Sequence, residues 1–129
     1  MLSVIVGIGT DIVDVGRIEA MLGRRGEALA QRLLSATEFD AFKAHPAPAR
    51  FLAKRFAAKE AALKALGTGL RNGIRWADIS VAHDALGKPA LCLDGAAQHR
   101  ADALGVTISH LSVSDEQRYA VAFVIIERN

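Results

Sequence analysis

The chain has 129 residues, is 51% hydrophobic and 23% charged, and carries a net charge of +2. That length fills one core and is short for two, and no apolar run reaches the roughly 18–20 residues of a membrane span. A single cysteine, Cys92, excludes an intramolecular disulfide framework, and the apolar N-terminal stretch lacks the basic flank of a signal peptide, so a soluble cytoplasmic protein with one domain over residues 1–129 is expected.

The chain opens on Val4-Ile5-Val6-Gly7-Ile8-Gly9, whose β-branched richness predicts a strand over residues 2–9. Gly7 and Gly9 alternate and so share a face without side chains, where a ligand, another chain or a structural bend would bring something close. Asp11 lies just beyond, a carboxylate interrupting an apolar run. The spacing is not a dinucleotide fingerprint, which needs a third glycine where Ile12 stands. Helices are expected over 14–22 and 26–34, and a third is opened by the capping box Ser35-Ala36-Thr37-Glu38. His45-Pro46-Ala47-Pro48 separates it from a long helix over 49–66. Strands over 79–83 and 89–93 flank a turn at 84–88, a helix follows over 95–104, and strands over 107–114 and 119–127 complete the chain. Cys92 is expected as a small buried hydrophobe on one of them. Val121, Phe123, Val124 and Ile125 are more apolar than a half-exposed edge strand requires, which predicts burial on both faces. The mixture reads as α+β, an antiparallel sheet with a long central helix packed on it.

The long helix carries chemistry. At helical spacing Phe56, Glu60 and Lys64 form one stripe with Lys59 beside it, flanked by small residues that leave room for a ligand. The bland alternative is a surface Glu–Lys pair worth about 0.3–0.5 kcal/mol. Asp11 shifts the balance: two carboxylates at 4 Å repel by about 4 kcal/mol at an effective dielectric near 20, so a site built from both favours a cation. Mg2+ suits them, since it is held by one or two carboxylates together with waters and substrate phosphates. Zinc lacks ligands at the right spacing, with one cysteine and four unpaired histidines.

Gly7-Ile8-Gly9-Thr10-Asp11-Ile12 and Arg55-Phe56-Ala57-Ala58-Lys59-Glu60-Ala61, in that order, resemble the two signatures of the holo-acyl-carrier-protein synthases, the small 4′-phosphopantetheinyl transferases. The similarity extends through Gly67-Thr68-Gly69, Trp76-Ala77-Asp78-Ile79, Gly87-Lys88-Pro89 and the strand that begins at Tyr119. It implies a Mg2+-dependent enzyme of fatty acid biosynthesis that moves phosphopantetheine from coenzyme A to a serine of apo acyl carrier protein and releases adenosine 3′,5′-bisphosphate. It also implies a homotrimer with coenzyme sites between subunits. Asp11 and Glu60 would hold the metal, Glu60 would serve as base directly or through a metal-bound water, and Lys64 would meet the pyrophosphate. Arg55 and Lys59 are further candidates for phosphate contact. Gly67 and Thr68 either present backbone N–H groups to an anion or close the helix as a glycine cap. The Ser/Thr-His pair that much of the family carries before its Tyr-Ala strand is Ser114-Asp115 here. His110 stands too early to replace it and is expected as an ordinary half-buried strand residue, while Asp115 either substitutes for the histidine or caps a turn.

Arg17, Arg24, Arg25 and Arg32 cluster early against only Asp14, Glu19 and Glu27, with Met21 and Leu29 interleaved. Such a surface suits an acidic helical partner. The family docks its carrier protein there, which assigns Arg17, Met21 and Arg32 to the partner. Nucleic acid fits poorly, since no aromatic residue stands before Arg32. Two rival readings remain at this point: a non-catalytic module that binds nucleotide or coenzyme A without metal, and a trimerisation domain in which Gly7 and Gly9 merely let chains pack closely.

Overall fold

The computed structural model describes residues 2–129. β1 (Val4–Asp14) runs five residues past its expected end, because the alternation continues through Ile12 and Val13 and the backbone keeps pairing with β5 (Tyr119–Arg128). Asp11 therefore sits inside the strand, opposite Ala122. β5 is central, with β4 (Ile108–Asp115) on its other side, so the antiparallel order is β1-β5-β4. β2 (Ile79–His83) and β3 (Pro89–Leu93) form a separate hairpin. The expected single sheet is thus two small ones.

α4 (Pro48–Leu66) lies on the inner face of the larger sheet. Proline at its first turn fixes the helical φ where an N–H would go unpaired, and Gly67 ends it in the left-handed region at φ 78°. Ala57, Ala58, Ala61, Ala62 and Ala65 are buried on α4, and Ala120, Ala122, Val124 and Ile126 are buried on β5, on which α4 packs. Small residues on both surfaces let helix and sheet come close, and the glycines of β1 take this furthest. A Cβ built on Gly7 would stand 2.0 Å from the Ala65 carbonyl oxygen, and one on Gly9 would stand 1.9 Å from that of Ala61. What approaches the bare glycine face is α4 of the same chain, which overturns the reading of those glycines as an intersubunit or ligand contact.

β1 passes directly into α1 (Val15–Arg25), whose N-terminus is capped by Asp14 accepting from the Gly16 N–H at 2.8 Å. α2 (Glu27–Leu33) and α3 (Ala36–Ala44) follow, and the Ser35/Glu38 capping box forms as expected. α5 (Gly95–Ala103) links β3 to β4. Cys92 is exposed, because the pleat of β3 turns Leu91 and Leu93 inward and Cys92 away. The same alternation splits β5: Ala120, Ala122, Val124 and Ile126 are buried, whereas Tyr119, Val121 and Phe123 are exposed beside Ile8 and Ile12 of β1. Within one chain, the expected burial of both faces is half met.

Candidate active site

Gly7, Gly9 and Asp11 share a face of β1, so the packing that seats the glycines on α4 also turns Asp11 toward that helix. Lys64 Nζ donates to Asp11 Oδ1 at 3.1 Å and to the Thr10 carbonyl at 2.9 Å. The lysine crosses to β1 instead of pairing with Glu60 along its own helix, so the bland surface pair is not what this stripe carries. Burial, and then the charge of Asp11, hold the Glu60 carboxyl above the usual carboxylate range, with Lys64 partly offsetting them. A carboxyl that burial and a neighbouring carboxylate hold toward its neutral form is the kind of oxygen donor a hard cation would stabilise. Among the described residues no cluster of three or more His, Cys, Asp or Glu side chains occurs. Mg2+ takes much of its coordination from water and substrate oxygens and needs only one or two protein carboxylates, a donor set that the Asp11 and Glu60 oxygens match in kind.

Asp11 and Glu60 both line a cavity of about 400 Å3. α1 contributes Arg17, Met21 and Arg25, spaced at i, i+4 and i+8 on one face, and α2 contributes Arg32. Ile18, Leu29 and Leu33 supply apolar wall, together with Phe56 and Trp76, whose rings stand 5.3 Å apart. The structure thus brings Arg17, Met21 and Arg32 to the same cavity as Asp11 and Glu60, from segments far apart in sequence. Arg25 joins them and Trp76 completes the wall. No spacing signal marked Trp76, because it enters on a short 3-10 turn (Trp76–Asp78).

The remaining candidates lie elsewhere on α4. Lys59 is fully buried: its Nζ donates to Glu38 Oε1 at 2.8 Å, to the Trp76 carbonyl at 3.1 Å and to the Ile79 carbonyl. A phosphate contact for Lys59 is therefore overturned, since the helix turns it into the core between α3 and β2. Burial pushes its pKa down, with the Glu38 charge acting against this. Arg55 lines a second concavity of about 300 Å3 with His45, Arg50, Phe51, Lys54 and His83. Its guanidinium lies over the Phe51 ring, 4.4 Å from the centroid. This basin is basic on most of its rim and suits an anion. His83 is held below its ordinary pKa by burial, then by Arg55 and Lys54.

At the end of α4 the Gly67 N–H donates to the Leu63 and Lys64 carbonyls, so the cap accounts for Gly67 and leaves that N–H no anion to meet. The Thr68 hydroxyl donates to the Gly69 carbonyl at 3.1 Å. His110 is exposed on β4, more so than expected, with Nε2 2.6 Å from Glu127 Oε2. Asp115 accepts from Arg50 at 2.9 Å and lies 3.5 Å from Lys54, while Arg50 also donates to the Glu116 and Gln117 carbonyls. It ties the β4–β5 turn to the start of α4; burial acts to raise its pKa, but the hydrogen bonds and charges of Arg50 and Lys54 together outweigh burial and hold the carboxyl below its ordinary value.

Residues 7–124 match the sequence model of the 4′-phosphopantetheinyl transferase superfamily. A holo-[acyl-carrier-protein] synthase of Photorhabdus laumondii is 56% identical over 124 residues, spanning 96% of this chain and 98% of that protein. The crystal structure of the Neisseria meningitidis holo-[acyl-carrier-protein] synthase superposes with a TM-score of 0.91 at 42% identity, covering 97% of this chain and all of that one. The Bacillus anthracis synthase, solved in complex with CoA (3′,5′-ADP), superposes at 0.81 and 38% identity over 97% and 98% of the two chains.

Proposed function

The chain belongs to the holo-[acyl-carrier-protein] synthase family of 4′-phosphopantetheinyl transferases and is an enzyme of that family, and we propose that it transfers 4′-phosphopantetheine from coenzyme A to a serine of apo acyl carrier protein, in fatty acid biosynthesis. The observation that supports this reading is the cavity lined by Asp11 and Glu60 together with Arg17, Met21, Arg25 and Arg32, since a pair of oxygen donors suits phosphate chemistry and an arginine face beside it suits an acidic protein. The rival coenzyme-binding module gives no account of that pairing.

Asp11 and Glu60 would hold Mg2+, which when bound would neutralise charge on the phosphate oxygens. Lys64, exposed and within reach of Asp11, supplies a further positive charge to the pyrophosphate. Glu60 accepts the serine proton directly or through a water as the serine Oγ bonds to the β-phosphorus. The bond from that phosphorus to the bridging oxygen breaks, and adenosine 3′,5′-bisphosphate leaves with the electron pair. Coenzyme A carries phosphate at two places. Arg55 and Glu60 are five residues apart on α4, roughly 140° around the helix, and line separate concavities. We assign the pyrophosphate to Lys64, with Thr68 at the helix end as a further contact, and the ribose 3′-phosphate to the basin around Arg55. Arg17, Met21 and Arg32, with Arg25, dock the carrier protein: arginines pair with its carboxylates and Met21 packs on its apolar side chains.

The outer sheet face supports a self-associated state, the homotrimer with sites between subunits. Ile8 is 58%, Ile12 63% and Phe123 42% exposed, an apolar surface that a second copy would cover. No described helix is long and apolar enough to cross a membrane, and we place the reaction in the cytoplasm.

Intact-mass spectrometry of apo acyl carrier protein incubated with this protein, coenzyme A and Mg2+ tests the proposal. A gain of one phosphopantetheine that EDTA abolishes is expected. No gain with several carrier proteins, despite coenzyme A binding, would refute the transfer.

A further inference from the structure

Two buried charges, Glu38 and its partner Lys59, take no part in the transfer described above. Glu38 is 4% exposed. Its Oε1 accepts from the Ser35 N–H at 3.1 Å and from Lys59 Nζ at 2.8 Å, and its Oε2 accepts from the Val81 N–H at 3.0 Å and stands 3.3 Å from Arg55 Nε. The capping box does not require this charge, since glutamine serves at the same position. Core stability does not require it either, because buried ion pairs are commonly matched or exceeded by apolar packing.

What the carboxylate adds is a hold on Arg55. That guanidinium is clamped between the Phe51 ring, 4.4 Å away, and Glu38, and its buried Nε has no hydrogen-bond partner of its own. The side chain is only 12% exposed, and it reaches the surface at the basin it shares with Lys54 and His83. Two cations against one carboxylate leave a net positive charge beneath that basin.

We propose that Glu38 is a positioning residue for recognition of the ribose 3′-phosphate: it fixes Arg55 so that coenzyme A is preferred over the analogue lacking that phosphate. This rests on the assignment of the basin made above. Because Glu38 ties α3, α4 and β2 together, the preference is built into the core and not left to a mobile surface arginine.

The test is steady-state kinetics with coenzyme A and with 3′-dephospho-coenzyme A, at fixed carrier protein, for the wild type, Glu38→Gln, Glu38→Asp and the double variant Glu38→Gln/Lys59→Met. Glu38→Asp keeps the charge but draws it back from Arg55, and the double variant avoids leaving Lys59 buried without its carboxylate. The wild type is expected to show the lower KM for coenzyme A. The variants are expected to raise that KM about tenfold, the size of weakening one charge-assisted contact, with kcat within about twofold and the KM for the dephospho analogue unchanged. A folded variant that keeps the wild-type KM ratio, or loses kcat equally on both substrates, overturns the positioning role. A wild type indifferent to the 3′-phosphate overturns the assignment of the basin itself, and the proposal with it.

Discussion

Replacing Gly9 by alanine tests whether the glycine face of β1 sets the geometry of the site. The new methyl would stand 1.9 Å from the Ala61 carbonyl oxygen and 2.9 Å from Ala61 C and Ala65 N, all backbone atoms. Ordinary contact begins at 3.4 Å, so β1 must rise from α4 by about 1.5 Å. No side chain is available to rotate away. Overpacking a core typically costs about 1–3 kcal/mol, and the upper end is expected where only backbone can yield. For a domain of this size, about 3 kcal/mol lowers Tm by roughly 10 °C. The same lift carries Asp11, two residues along, away from Lys64, now 3.1 Å distant. A displacement on that scale is expected to lower kcat about 100-fold. Thermal melts by circular dichroism and the mass-spectrometric transfer assay read the two effects, with Gly23→Ala as control. Gly23 lies in α1 with nothing near its Cβ position, so that change should stabilise by about 0.5–1 kcal/mol. A Gly9→Ala protein that melts within about 2 °C of wild type and turns over normally would refute the reasoning.

Asp11→Asn and Glu60→Gln should each lower Mg2+-dependent turnover by about 100-fold or more while leaving the melt cooperative; unchanged rates in both would remove the metal assignment. Arg17→Glu should raise the KM for carrier protein about tenfold or more, steepen with falling salt, and leave the KM for coenzyme A alone. Phe123→Asp should shift the protein in size-exclusion chromatography toward its 13.7 kDa monomer, and a wild type already eluting there would sink the shared-site reading. His83 is held below its ordinary pKa, so between that lowered value and about 6.5 the unfolded chain binds more proton than the native one, and stability rises with pH across this window. His83→Gln should flatten that part of a Tm-against-pH curve; an identical slope would contradict it.

Element types and most boundaries were legible because their signals are local. The capping box at Ser35, the prolines before α4 and the hairpin around Gly87 each act within a few residues. The carboxylates and Lys64 were legible for a different reason, since an acid in an apolar strand and a mixed stripe in an alanine-rich helix contradict the pattern around them. Lys59 was misread because it flanks Glu60 in sequence, while the helix turns successive residues by 100° and carries Lys59 into the core. Its partner Glu38, 21 residues earlier, carries a cap signal that gives no hint of a second role. The purpose of Gly7 and Gly9 depended on what the sheet packs against, a fact of tertiary structure. Cys92 and the outer face of β5 followed the two-residue pleat, where run-length hydrophobicity suggested burial throughout.

On the proposed function, the join between β1 and α1 would let one small chain bring a protein substrate to the Asp11 carboxylate with fixed geometry. Arg17 follows Asp11 by six residues, and no loop intervenes: the strand ends at Asp14, whose carboxylate caps the helix, and the Val15 N–H donates to the Arg118 carbonyl at 2.8 Å. A carrier protein seated on α1 as proposed would thereby be referenced to Asp11 through a strand pinned on one side by β5 and on the other by α4. A flexible connection would blur the approach of the serine to the phosphorus, and even 1 Å of misplacement can cost about 100-fold in rate. The glycine face that seats β1 on its helix and the aspartate that caps α1 therefore serve the same end, holding Asp11 and the arginine face of α1 in one fixed relation.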